Sequence, residues 1–330
     1  MTTGRIKLAR CLAFEPTLAL PRFENNFHED IEALWHRQGL PADRSLQDYF
    51  QFDRREELPV QWRPSGKPPF VISTPAALAE FRHAYDPRRP PPLPRDWIAR
   101  LAAWKERHHV LFASPWDEGL LQTIGVRDDA TFRAAMVLMA ENPALAAETM
   151  ALYADALVAW LEPVLEQVVF DYAVFYEPIA SNHAPVISPD LYRRVTLPAL
   201  RRVCAALETR AVNYRFMWSS GQIVALIPHW LEAGINGLHV AQRRRSGISY
   251  VQLRREFGRD LRFFGGVDSG ALARGPADVA HELKTHVRPL LEQGGYVPYL
   301  DDRIRPPVTF AAFCDYRRQL DALIRSVYSA

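Results

Sequence analysis

The 330-residue chain carries its reactive side chains in short groups, each following a run of β-branched or aromatic residues. In order these are Glu24-Asn25, Trp116-Asp117-Glu118, Glu177 with His183, and Trp218-Ser219-Ser220. Then come His239 with Arg243-Arg244-Arg245, Asp268, and Asp301-Asp302-Arg303 with Arg305. Carboxylates and imidazoles are the groups that move protons near neutral pH. Glu177 follows Phe175 and Tyr176, apolar neighbours that would raise its pKa into the range of a general acid or base; a salt bridge is its alternative use. Guanidinium forks bind carboxylates bidentately, so the 243–245 run, with Arg303 and Arg305, suits a polyacidic ligand, although such a run also forms solvated surface. Ser219-Ser220-Gly221 places two hydroxyls before a helix expected at 222–233, as an anion seat, a helix cap or both. Asp268, Glu24 and Asp301 either orient a substrate or serve locally, and His183 lies in a loop where a solvated histidine is equally at home. Trp116, Tyr214 and Trp218 are candidates for an apolar wall, with simple packing as the alternative.

Elements must bring these groups together. Strand-like runs cover 17–24, 107–113, 170–176, 212–217, 236–240, 261–266 and 296–300, and long helical patterns separate most of them. One helix is expected over 143–167, with Asn142 as N-cap, Pro143 at its first position, and Leu157, Trp160, Leu161, Val164 and Leu165 on one stripe. Ser188-Pro189 repeats the device for a helix over 189–208. Nearly every strand is followed by a helix and the count approaches eight, so the expectation is an α/β fold, a single TIM-type (β/α)8 barrel over 1–330. Its candidate residues would converge at the C-terminal strand ends. No GxGxxG follows the first strand and no GxxxxGK[ST] occurs. Residues 40–106, with RRPPPLPRDW at 88–97, fit the alternation poorly and are expected to be an irregular, Pro-rich covering segment.

Composition bounds the partners. With 48% hydrophobic and 24% charged residues the chain is not low-complexity or disordered, and a net charge of +2 does not suit a general nucleic-acid or membrane-surface binder. No run of about 18 uncharged apolar residues occurs and the N-terminus lacks a signal-peptide pattern, so a cytoplasmic location is expected. Cys11, Cys204 and Cys314 lie far apart without metal-binding spacing and read as reduced, inert thiols.

Several segments resemble the uroporphyrinogen decarboxylase superfamily, which combines porphyrinogen decarboxylases with corrinoid-linked methyltransferases on a (β/α)8 barrel. They are YEPIASNHAPVISPDLYRR, LIPHWLEAGINGLHV, LRREFGRDLRFFGGVDSGALARG and LEQGGYVPYLDDRIRPPVTF. FENNFHEDIEALWHRQGLP and DYFQFD are similar to the methyltransferase-like branch. Against the family pattern, Glu-Asp after the third strand is here Glu177-Pro178, and a His or Asp closing the fourth is Trp218. The acidic residue after the fifth falls near Gln242–Arg243, and the closing Asp-His is Asp301-Asp302. The thiolates of the zinc-dependent branch are missing, so no metal and no cofactor are expected.

The resemblance implies a metal-independent, decarboxylase-like lyase acting on an anionic, aromatic or pyrrolic small molecule. Asp302, Asp117 or Glu177 would manage the proton, and arginines would hold the carboxylates. The alternatives are methyl transfer from a methylated small compound to a corrinoid protein, and a non-catalytic binding protein on a decayed enzyme fold. A small anionic substrate and a second copy of the chain are the expected partners, with the corrinoid protein only under methyl transfer.

Overall fold

A computed structural model describes residues 3–24, 26–58, 60–64 and 71–328. Asn25 lies outside the described residues. Seven strands are present among them: β1 (Arg55–Glu57), β2 (Val110–Trp116), β3 (Tyr172–Tyr176), β4 (Arg215–Ser220), β5 (Gly237–Ala241), β6 (Arg262–Phe264) and β7 (Tyr296–Val297). The chain divides into two compact units. The first holds Met1–Arg55, His108–Val110 and Gly237–Ala330, and the second holds Glu56–Arg107 and Leu111–Asn236.

In the second unit β2 pairs with β3 and β3 with β4, all parallel, with Phe112 opposite Tyr172 and Tyr176 opposite Trp218. In the first, β5 pairs with β6 and β6 with β7, again parallel. Chain-ordered parallel strands joined by helices are the elements of a TIM-like fold. Their side chains are buried on both faces, as in Tyr172-Ala173-Val174-Phe175, because helices cover the outer face of such a sheet and strand side chains fill the inner one.

Two expectations are corrected. Residues 17–24 are extended but form no strand, although Leu20 and Phe23 are buried, so no eighth strand is seen among the described residues. The 40–106 segment is not wholly irregular: it contains β1 and helices Leu46–Phe50, Pro75–Ala84 and Trp97–Lys105, while the prolines at 90–94 do lie in loop.

Helix starts follow the sequence closely. The Asn142 side chain accepts from Leu145 N at the head of helix Pro143–Leu165, and Ser188 accepts from Leu191 N. The single helix expected over 189–208 is split into Pro189–Val195 and Leu197–Thr209, because Pro198 has no N–H to continue the ladder. Helix Pro143–Leu165 is long and apolar enough by composition to cross a membrane. Its Leu157, Trp160, Leu161, Val164 and Leu165 are buried within the unit, whereas Glu148, Asp155 and Glu162 face outward and pair with Arg82, Arg202 and Arg210. That two-sided pattern is a core helix.

Candidate active site

In the second unit, β2 ends in Trp116-Asp117-Glu118 and β3 leads into Glu177. Glu177 is fully buried. Its Oε1 accepts from Leu120 N at 2.9 Å, and its Oε2 accepts from Trp116 Nε1 at 3.4 Å and Tyr192 OH at 3.2 Å. Trp230 Nε1 donates in turn to the Tyr192 hydroxyl at 3.0 Å. Gly119 permits the close approach: with φ +62° it adopts a left-handed conformation, and a Cβ there would lie 2.8 Å from Glu177 Oε1. Burial pushes the Glu177 carboxyl up to about 7, against the pull of Leu120 N, Trp116 and Tyr192. The carboxyl is raised by burial and closed into a knot of donors.

Asp117 is the opposite case. It lines a cavity of about 580 Å3 together with Leu58, Val60, Trp62, Arg63, Ser114 and Tyr176. Asp117 Oδ2 accepts from Arg63 Nε at 2.9 Å, and Arg63 Nη2 donates to the Asp117 carbonyl at 3.0 Å. Its Oδ1 is buried and has no hydrogen-bond partner among the described residues, and the same holds for Ser114 Oγ. Burial raises the Asp117 carboxyl to about 6; Arg63 opposes the shift and Glu118 adds to it. Glu118 is buried behind, accepting from Tyr85 OH at 2.9 Å. Both oxygens belong to residues that line the cavity, but they are themselves shielded from it. The apolar wall is Leu58, Val60 and Trp62, all buried.

Of the other second-unit candidates, Trp116 is packing: it is buried against Tyr153, with ring centroids 5.1 Å apart. Trp218 pairs with Tyr176 at 5.4 Å, at the C-terminal ends of their strands. Three expectations fail. Ser219 and Ser220 close β4 rather than preceding a helix, and Ser219 Oγ donates to the Glu177 carbonyl at 2.6 Å, so Ser219 is neither cap nor anion seat. Gly221 turns the chain there at φ +81°, where a Cβ would meet Ser181 O at 2.4 Å. Tyr214 precedes β4 at its N-terminal end, roughly 16 Å along the strand from Ser219, and so lies away from the C-terminal ends. His183 is exposed in the Ser181–Ala184 turn.

In the first unit, Glu24 is a structural carboxylate, accepting from Leu300 N at 2.8 Å and paired with buried Arg317 at 3.4 Å. Arg243 corrects the expectation of a substrate-binding guanidinium: it is buried, ion-paired with Glu282, and donates to Gly266 O. Asp268 accepts from Gly270 N at 3.0 Å and binds Arg244 and Arg274, while Ser269 holds the N-cap position of the following helix. Asp302 accepts from Gln242 Nε2 at 2.8 Å, and exposed Arg303 donates to Phe27 O at 3.1 Å. Asp301 is buried and pushed up to about 6 by burial, with Oδ1 on Ser269 N and no partner for Oδ2 among the described residues. His239 is held neutral, its pKa lowered to about 3 by burial and then by Arg55; Tyr299 OH lies 3.5 Å from Nδ1.

The zinc of the methyltransferase branch does not fit these residues. Among the described residues no three His, Cys, Asp or Glu side chains converge, and the one strand-end imidazole, His239, has a guanidinium for a neighbour. Cys11 and Cys204 are buried thiols raised to about 12 by burial, away from the role of ligand.

The model of the uroporphyrinogen decarboxylase (URO-D) family matches residues 119–309. The chain belongs to that family. A methyltransferase from Methanosarcina mazei matches in structure with a TM-score of 0.57 and 15% identity, covering 99% of this chain and 100% of that one. At that identity the likeness establishes the shared fold. No curated protein matches the chain. Sequence reasoning named Asp117 but neither Arg63 nor Ser114, which line the same cavity. Ser114 was legible from its place in a strand, whereas Arg63 lies in a segment without periodicity, 54 residues from the carboxylate it binds.

Proposed function

We propose that this URO-D family member is a decarboxylase-like lyase for a small anionic compound, with Asp117 as the proton donor and Arg63 as the carboxylate anchor. The observation that carries this reading is the Asp117 carboxyl in the cavity lining, raised to about 6 by burial and held through one oxygen by Arg63, which lines the same cavity. The lining has one guanidinium, Arg63, which pairs with Asp117 at 2.9 Å and lies 3.6 Å from Glu118, so it is not the arginine-rich mouth expected from sequence. A substrate carboxylate would take over Arg63 and leave Asp117 beside a second negative group, which raises its pKa further and loads it with a proton from solvent. A second carboxylate against Leu58, Val60 and Trp62 would be poorly solvated and would leave as neutral CO2. The carbon–carbon pair then takes the Asp117 proton.

The test is CO2 release from a panel of aromatic and pyrrolic polycarboxylates, followed against pH. The reading expects activity to fall as pH rises above the Asp117 pKa, and the fall to disappear with activity in Asp117→Asn. Turnover retained in Asp117→Asn would overturn it. Methyl transfer is the competing reading, favoured by the methyltransferase that matches along the whole chain. It is distinguished by loss of a methyl group from a methylated compound without release of CO2.

A further inference from the structure

The first unit holds a cavity of about 320 Å3 built wholly from residues 243–286, which the proposed decarboxylation does not use. Its floor is the buried Arg243–Glu282 pair. One side is the loop after β5 and the start of helix Tyr250–Phe257, where Ser249 is the N-cap. Arg244 and Arg274 form the rim, with side chains 63% and 40% exposed. Both reach the same carboxylate, Asp268, at 2.8 and 2.6 Å, and Arg274 also holds Asp278 at 2.9 Å.

The far wall depends on an irregularity in the backbone. Helix Pro276–Glu282 runs into a π-helical turn, Leu283–Val287. In a regular α-helix, side chains five residues apart diverge by about 140°. The wider π turn absorbs one residue and brings His281 and His286 to the same cavity. His286 Nε2 also lies 3.9 Å from Glu282 Oε2. Such single-turn π bulges are costly and concentrate at functional positions.

Three guanidiniums and two imidazoles line the cavity beside two carboxylates, Glu282 and Asp278, which Arg243 and Arg274 already neutralise. Each guanidinium offers five N–H groups, and Arg244 gives Asp268 one hydrogen bond from Nη1. Ser249 Oγ accepts from Gln252 N at 3.3 Å and keeps its own proton to donate. Donors from the loop, the rim and the histidine wall approach from three directions, which suits a tetrahedral anion better than a planar carboxylate. Guanidinium groups match phosphoryl oxygens, and a helix start adds favourable polarity. The volume leaves room for an organic body beside the anion. We propose that this cavity binds the phosphoryl group of a small phosphomonoester, at a site separate from that of Asp117.

Calorimetric titration with inorganic phosphate and with phenyl phosphate tests this. Both should bind saturably to the wild-type chain, phenyl phosphate more tightly because it fills more of the cavity. Arg244→Ala and Arg274→Ala, at exposed rim positions, should each weaken phenyl phosphate about tenfold or more; each variant leaves Asp268 one guanidinium partner, and circular dichroism checks that the fold is kept. His286→Ala gives a second reading from the opposite wall and should weaken binding as well. Arg63→Ala and Asp117→Asn should bind phenyl phosphate as the wild type does, which keeps this result independent of the decarboxylase reading. Absence of saturable binding to the wild type, or wild-type affinity in both rim variants, would overturn the proposal.

Discussion

Each unit contains an arginine–carboxylate pair at the end of a strand, and the two pairs are built for different ends. Arg243 and Glu282 have side chains 5% and 8% exposed, and the remaining polar capacity is consumed nearby: Arg243 donates to Gly266 O, and Glu282 accepts from Asp268 N at 3.1 Å. Arg63 and Asp117 are 53% and 22% exposed, and Asp117 keeps one oxygen unmatched. The same two chemical groups thus give a closed strut in one unit and an open, polarised contact in the other. Satisfaction of the lone pairs, more than residue type or strand-end position, separates structure from chemistry. Glu177 and Asp117 make the same contrast between two carboxylates of one unit.

The sharpest break would come at the open pair. Asp117→Asn should lower turnover about 10²- to 10⁴-fold in a CO2-release assay, with the fold intact, the range expected for loss of a proton-transfer group. At the closed pair the effect moves to stability: Arg243→Ala strands a buried carboxylate and should cost about 3–5 kcal/mol in urea unfolding.

The pH dependence is next in size. The Asp117 carboxyl rises from an ordinary 3.8 to about 6 because burial disfavours its charge. The folded chain therefore keeps a proton that the unfolded chain loses. This stabilisation is complete below about pH 4 and vanishes as pH rises through 6, about 3 kcal/mol in all. Asp117→Asn should remove that part of the slope, seen as wild-type and variant stabilities diverging between pH 4 and 7.

Arg63→Ala should leave stability within about 1 kcal/mol, as for other exposed pairs, yet raise the Kd of a polycarboxylate about tenfold. If it instead unfolded the chain, the open pair would be another strut and the contrast would collapse. Least affected should be His183→Ala, within about 0.5 kcal/mol in stability and unchanged in activity, because its ring is in solvent.

Much of the scaffold was legible because it rests on local rules. Asn142 and Ser188 cap helices where their side chains predict, and the runs at 170–176 and 236–240 become β3 and β5 with small shifts at their ends. The 17–24 run misled because alternating apolar residues also suit an extended segment whose Leu20 and Phe23 are buried without a ladder. Asp117 was singled out by its place after a strand. Its distinction from Glu177 was not, since that depends on Leu120 N, Trp116 and Tyr192 closing around one carboxyl and leaving the other open.

The amino-acid order determined the succession of strands and helices, the family resemblance, and which carboxylates and arginines stand at strand ends, because periodicity, caps and motifs act over a few residues. The tertiary structure decided the partners: Arg63 for Asp117 across 54 residues, Glu282 for Arg243 across 39, and a π turn that puts His281 beside His286. A side chain's charge is written in its type, but whether that charge is spent or available depends on what folding places within about 3 Å of it.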